Sequence, residues 1–151
     1  MVLLSTSDLS KSFGGVTAVR ELSFEIEQGA MFGIMGPNGA GKTSLFNILT
    51  GFLPADAGSV IFRGREILGM KPYELVELGM ARSFQLVKPF FEMTALETVV
   101  LPAWGPRMRG REVTPDGFER RGYDLLDQFG LREKGLARVN DLNQNELRLL
   151  D

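Results

Sequence analysis

Gly36-Pro37-Asn38-Gly39-Ala40-Gly41-Lys42-Thr43, followed by Ser44, is the segment of this chain whose residue types and spacing point most directly to chemistry. It fits G-x-x-x-x-G-K-[ST], a pattern in which successive backbone N–H groups curl around a phosphate. Glycine is needed where the backbone must approach the phosphates or turn left-handed. Gly36, Gly39 and Gly41 fill those places. Lys42 offers an ammonium to the β- and γ-phosphates, and Thr43 offers a hydroxyl to Mg²⁺. The expected ligand is ATP or GTP.

A loop of this kind needs a strand to deliver it and a helix whose N-terminus faces the phosphates. Met31-Phe32-Gly33-Ile34-Met35 reads as a short buried strand. Ser44 to Leu49 reads as the helix, with Leu45, Ile48, Leu49 and Phe52 on one face and Gly51 and Pro54 marking its end. Residues 2–27 read as two strands. In the second, Leu22, Phe24 and Ile26 alternate with Ser23, Glu25 and Glu27. Asp56-Ala57-Gly58 is a turn into a strand over Ser59 to Phe62, which Arg63-Gly64 turns back. Lys71 to Leu78 is a short helix stopped by Gly79, and Met80 to Phe84 is a second candidate buried strand ending in Gln85.

Helical spacing takes over after Gln85. Thr94 to Trp104 carries Leu96, Val99, Val100 and Ala103, with Thr94 as N-cap and Glu97 completing a capping box. Arg107, Arg109 and Arg111 lie in a polar loop. Pro115 to Phe129 places Phe118, Leu125, Leu126 and Phe129 on one face, and a last helix begins near Asn143. The expected organisation is an α/β nucleotide-binding core over residues 1–85 and a helical subdomain over 86–151.

The bulk numbers suit one globular domain or part of a larger one: 151 residues, 44% hydrophobic and 24% charged. A net charge of −2 argues against nucleic acid as the main partner. The absence of cysteine removes disulfides, thiol catalysis and thiolate-bound metal. The first residues have no basic region and no long apolar run, and no stretch approaches a membrane span. A membrane role would act through a partner.

The form Gly36 to Ser44, GPNGAGKTS, resembles the P-loop of the ATP-binding subunits of ABC transporters. Leu9 to Gly15 and Val16 to Val19 look like that family's opening, where an aromatic residue stacks on adenine. Phe13 matches that position, and Ala18 would be a smaller neighbour of the base. Ala81-Arg82-Ser83-Phe84-Gln85 resembles the strand that enters the Q-loop, whose glutamine contacts Mg²⁺ and the attacking water. Phe90 to Glu97 follows in the style of the branched-chain amino acid importer branch.

The resemblance implies an α/β P-loop NTPase of ABC type, with antiparallel strands, a parallel core sheet and a helical subdomain. It implies ATP and Mg²⁺ held by Phe13, Gly36, Pro37, Asn38, Gly39, Ala40, Gly41, Lys42, Thr43, Ser44 and Gln85, with Thr43 and Gln85 on the metal. It implies a second ATP-binding subunit and membrane permease subunits as partners, and a peripheral place on the cytoplasmic face of the inner membrane. Phe90 and Phe91 read as core or as the lining of a groove for the permease.

Two departures stand out. The family's signature helix opening, LSGGQ or a relative, falls on Leu142-Asn143-Gln144-Asn145-Glu146, where only the leucine is kept. The family's Walker B strand, catalytic glutamate and switch histidine have no counterpart, and the chain has no histidine. The chain is therefore expected to be an N-terminal portion, incomplete at its C-terminus, that binds ATP without turning it over. No catalytic residue is assigned. A cytosolic ABC-type ATPase working on nucleic acid or ribosomes, and a degenerate nucleotide-binding module, remain as alternative readings.

Overall fold

The computed structural model describes residues 1–84, 90–104 and 115–150. They fall into two compact units, divided between Arg82 and Ser83.

The first unit is built on a long hairpin. β1 (Val2–Phe13) and β2 (Val16–Glu27) pair antiparallel from Val2↔Glu27 to Phe13↔Val16. Gly14 and Gly15, both at positive φ, make the turn. β3 (Ala57–Phe62) lies antiparallel along the other edge of β1, and the two-residue β4 (Arg65–Glu66) follows, giving the order β2-β1-β3-β4. The alternation read in the second strand holds, with Leu22, Phe24 and Ile26 half-buried and their neighbours exposed.

α1 (Lys42–Leu49) lays Leu45, Ile48 and Leu49 into a core shared with Leu4 and Leu9 of β1 and Val60 and Phe62 of β3. α2 (Pro72–Leu78) adds Leu75. Gly79 closes that helix at φ 94°, its N–H donating to carbonyls of the last turn. Thr6 is the one buried polar side chain among the described residues. Its hydroxyl donates to the Leu22 carbonyl (3.1 Å) and accepts from the Phe24 N–H (3.2 Å), so its burial leaves nothing unpaired.

In the second unit, α3 (Ala95–Val100) runs on into a 3₁₀ turn at Leu101–Trp104. α4 (Pro115–Gln128) packs against α3, and short 3₁₀ turns lead to α5 (Gln144–Leu150). Ala95, Leu96, Leu126, Leu131 and Leu142 form its core. The capping box is present: Thr94 Oγ1 accepts from the Glu97 N–H (3.2 Å), and the Glu97 carboxylate accepts from the Thr94 N–H (2.7 Å).

Three expectations are corrected. Residues 31–35 and 80–84 are irregular backbone, not buried strands, and Met31 and Met35 are fully exposed. A strand exists through hydrogen bonds to a neighbour, and neither segment meets one among the described residues. Among the described residues the sheet pairs antiparallel. Phe52 lies beyond the end of α1 and is exposed, because Gly51 at φ 75° turns the chain out of the helix. On α4 the buried face runs through Gly122 and Leu126, while Leu125 and Phe129 are exposed. A Cβ on Gly122 would stand 2.5 Å from Leu96 Cδ1 and 2.6 Å from Val100 Cγ1. The glycine lets α3 come close, and that contact sets which face is turned inward.

Candidate functional site

The loop from Gly36 to Ala40 is exposed and tightly wound, and Gly41 behind it is half-buried. The Ala40 N–H donates to the Pro37 carbonyl (3.2 Å), and Gly39 and Gly41 take φ 83° and 81°. Gly41 is the N-cap of α1 and, having no side chain, makes no side-chain cap. The first turn of α1 also holds no acid. Its leading N–H groups thus have no capping partner among the described residues and carry the positive end of the helix dipole, the arrangement that receives an anion.

Gly41 is glycine for a second reason. A Cβ there would overlap the carbonyl oxygen of Ala18 and stand 3.0 Å from its carbonyl carbon. Ala18 is placed by a bulge. The β1–β2 register steps from Lys11↔Val19 to Ser12↔Thr17, leaving Ala18 as the extra residue of β2. The bulge brings the Ala18 carbonyl against the base of the loop. A pocket of about 220 Å³ lies beside this contact, lined by Ala18, Val19 and Leu22 of β2 and by Gly41, Lys42 and Leu45.

Lys42 folds back on the loop, its ammonium donating to the carbonyls of Gly36 and Pro37, both at 2.7 Å. Thr43 is exposed in the first turn of α1, and its hydroxyl has no protein partner among the described residues. One unengaged hydroxyl beside an open helix N-terminus is compatible with Mg²⁺, which takes few protein ligands and completes its shell with phosphate oxygens and water. Asn38 is exposed and Ser44 half-buried.

Phe13 stands at the tip of the hairpin, paired with Val16, with 47% of its surface exposed. It is not a core aromatic. Its connection to the loop runs through β2, where Ala18 lies two residues beyond Val16. Phe90 and Phe91 are both exposed. Gln85 lies outside the described residues, as do Arg107, Arg109 and Arg111.

The segment 142–146 is arranged otherwise. Asn143 Oδ1 accepts from the N–H groups of Asn145 (3.0 Å) and Glu146 (3.1 Å). The Glu146 carboxylate accepts from the Asn143 N–H (2.8 Å) and from Lys134 Nζ (2.6 Å). The Lys134 bond, then the Asn143 N–H, holds the Glu146 carboxyl below the usual glutamate range. This is a capping box of the form Asn-x-x-Glu, a signal that the sequence carried and that the sequence reading passed over.

Lys11 and Asp56 were also missed. The Asp56 carboxylate accepts from Lys11 Nζ (2.6 Å) and from the Ser12 N–H (2.7 Å), and those bonds, the Lys11 one first, hold its carboxyl below the usual aspartate range. Arg82 donates to Asn47 Oδ1 (2.7 Å) and Thr50 Oγ1 (3.0 Å), so the segment before Gln85 is tied to the C-terminal end of α1.

Residues 19–147 match the family model described as ABC transporter. The chain is 39% identical to the probable branched-chain amino acid transport ATP-binding protein LivG of Archaeoglobus fulgidus, over 89% of this chain and 48% of that protein. It is 38% identical to the high-affinity branched-chain amino acid transport ATP-binding protein LivG of Salmonella typhimurium, over 99% of this chain and 62% of that one. Among solved structures it resembles the ADP conformation of an ATP-binding cassette of an ABC transporter. The TM-score is 0.82 and the identity 29%, over 99% of this chain and 62% of that one. A nucleotide-free cassette gives a TM-score of 0.80, with the same identity and coverage. The chain thus spans about half to three-fifths of the relatives it matches. With the P-loop placed between the hairpin and α1, and the family model matched over most of its length, the chain belongs to the ABC transporter family.

Proposed function

We propose that this chain is the nucleotide-binding part of an ATP-binding subunit of a transporter for branched-chain or related amino acids. The observation that carries the reading is the N-terminus of α1, open and free of acid, behind a glycine loop with Lys42 at its mouth. Residues 36–44 hold the phosphates of ATP. Lys42 exchanges two neutral carbonyls for charged phosphate oxygens, which are stronger acceptors. Thr43 would hold Mg²⁺, to which the family resemblance also assigns Gln85, and the ion would offset phosphate charge. Phe13 stacks on the base.

In the assembled transporter a second ATP-binding subunit pairs with this one, and both sit peripherally on the cytoplasmic face of the inner membrane. No helix among the described residues is long and apolar enough to cross a membrane. The exposed Phe90 and Phe91, with Gln85, meet the permease. The match to branched-chain amino acid transport proteins supports that substrate class. Hydrolysis calls for a group that orients the attacking water and for carboxylate near the metal. Residues 36–44 supply neither, so the role proposed for them is to hold the phosphates.

Calorimetric titration with MgATP tests the site. The parent chain binds, and Lys42→Ala loses binding by more than about tenfold, the loss of one charge-assisted contact. Equal affinity in parent and variant would show that the phosphates lie elsewhere.

A further inference from the structure

Asp56, in the turn before β3, grips the last residues of β1 at three points. Its N–H donates to the Ser10 carbonyl (2.9 Å), one carboxylate oxygen accepts from Lys11 Nζ (2.6 Å), and the other accepts from the Ser12 N–H (2.7 Å). Three consecutive residues before Phe13 are thereby fixed. Lys11 and Phe13 are two apart on a strand and so point to the same face. The Lys11 side chain is only 12% exposed, and its ammonium stands 5.5 Å from the centroid of the Phe13 ring. That is within reach of a cation–π contact.

We infer that Lys11 and Asp56 are positioning residues that hold the Phe13 ring and leave one of its faces to a stacked nucleotide base. The ring has two faces. Lys11 stands against one, and 47% of the Phe13 surface is left exposed. Asp56 keeps Lys11 in place and balances its charge, so the pair serves the aromatic half of a nucleotide and not its phosphates. The inference rests on the nucleotide-binding reading above. It adds to that reading a pair that acts on the base alone.

The test is calorimetric titration of the full chain with MgATP and, separately, with inorganic tripolyphosphate, which has no base. Lys11→Met keeps the stem and removes the charge, and Asp56→Asn weakens the grip on Lys11. Both are expected to lower ATP affinity about two- to fivefold and to leave tripolyphosphate affinity unchanged. Lys11→Arg, which keeps a cation over the ring, restores ATP affinity. Phe13→Ala loses about fivefold or more for ATP only. Unchanged tripolyphosphate binding also shows that a variant has folded.

Equal losses for both ligands would overturn the inference and reduce the pair to a strand support. So would unchanged ATP affinity in Lys11→Met and Asp56→Asn while Phe13→Ala loses it. If Phe13→Ala also leaves ATP binding intact, the base platform itself fails. If the parent binds neither ligand, the phosphate site fails first.

Discussion

Gly39 and Gly41 share a positive φ, 83° and 81°, but not their surroundings. A Cβ on Gly39 meets nothing within 4 Å, whereas one on Gly41 overlaps the Ala18 carbonyl oxygen. Replacing each by alanine therefore separates two costs. Holding an alanine in the left-handed region costs about 1–2 kcal/mol at either position. At Gly41 the overlap adds the cost of forcing atoms into filled space, about 1–3 kcal/mol. The obstacle is backbone, and it belongs to a strand paired on the hairpin, so it cannot swing aside as a side chain would.

Gly41→Ala should thus destabilise the chain by about 1–3 kcal/mol more than Gly39→Ala. Urea denaturation followed by far-ultraviolet circular dichroism measures both. Tripolyphosphate titration should show the same order, because the loop can admit the extra methyl at Gly41 only by drawing away from the hairpin. A difference under about 0.5 kcal/mol, the scatter of neutral substitutions, would refute the reasoning. It would mean that the Ala18 bulge does not support the loop.

Gly122→Ala sets a helix-propensity gain of about 1 kcal/mol against overpacking of about 1–3 kcal/mol, and a net loss is expected on thermal denaturation. Val100→Ala in the same chain should recover part of it, since Val100 Cγ1 is one of the two atoms struck. Thr94→Ala removes the hydroxyl that caps α3 and should cost about 1 kcal/mol by the same measurement. Arg82→Ala breaks two hydrogen bonds from a charged donor to Asn47 and Thr50, and about 1.5–3 kcal/mol of stability should go with them in urea. Asp56, Glu97 and Glu146 have carboxyls lowered by hydrogen bonds, the Thr94 N–H leading for Glu97. Their contribution is present above the unfolded values and lost as pH falls through the lower folded ones. The melting temperature should therefore drop below about pH 4.5, and Glu97→Gln should flatten that drop.

Much of this was legible in the residues because it depends on local chemistry. Thr94 and Glu97 announce a cap that forms within four residues, and Leu22, Phe24 and Ile26 announce a face that one strand decides. The P-loop was legible for the same reason. Residues 31–35 were misread because apolar composition shows what a segment can bury and not whether a partner strand is beside it. Gly122 was missed because a count of apolar residues gives no weight to an atom that is absent. The bulge at Ala18 has no residue signature at all, since it is a property of how two strands align. Lys11 and Asp56 are 45 positions apart, and a turn at Asp56 carries no sign of the strand residue that it meets.

The helix N-termini of this chain provide their own control for the site assignment. Glu74, Glu97, Asp116 and Glu146 stand in the first turns of α2, α3, α4 and α5. In three of these the carboxylate accepts from the N-cap N–H, at Lys71, Thr94 and Asn143. Each such acid satisfies donors and cancels positive charge, which stabilises the helix and closes its end to an outside anion. α1 alone among the described α-helices has neither an acid nor a capping side chain there. Leaving those donors unsatisfied costs folding free energy that a serine or aspartate at the cap would recover, about 1 kcal/mol. A cost of that kind is retained where the donors have a partner that is not part of the chain. At α1 the glycines that leave the end open also wind the loop in front of it, which supports the phosphate site proposed above.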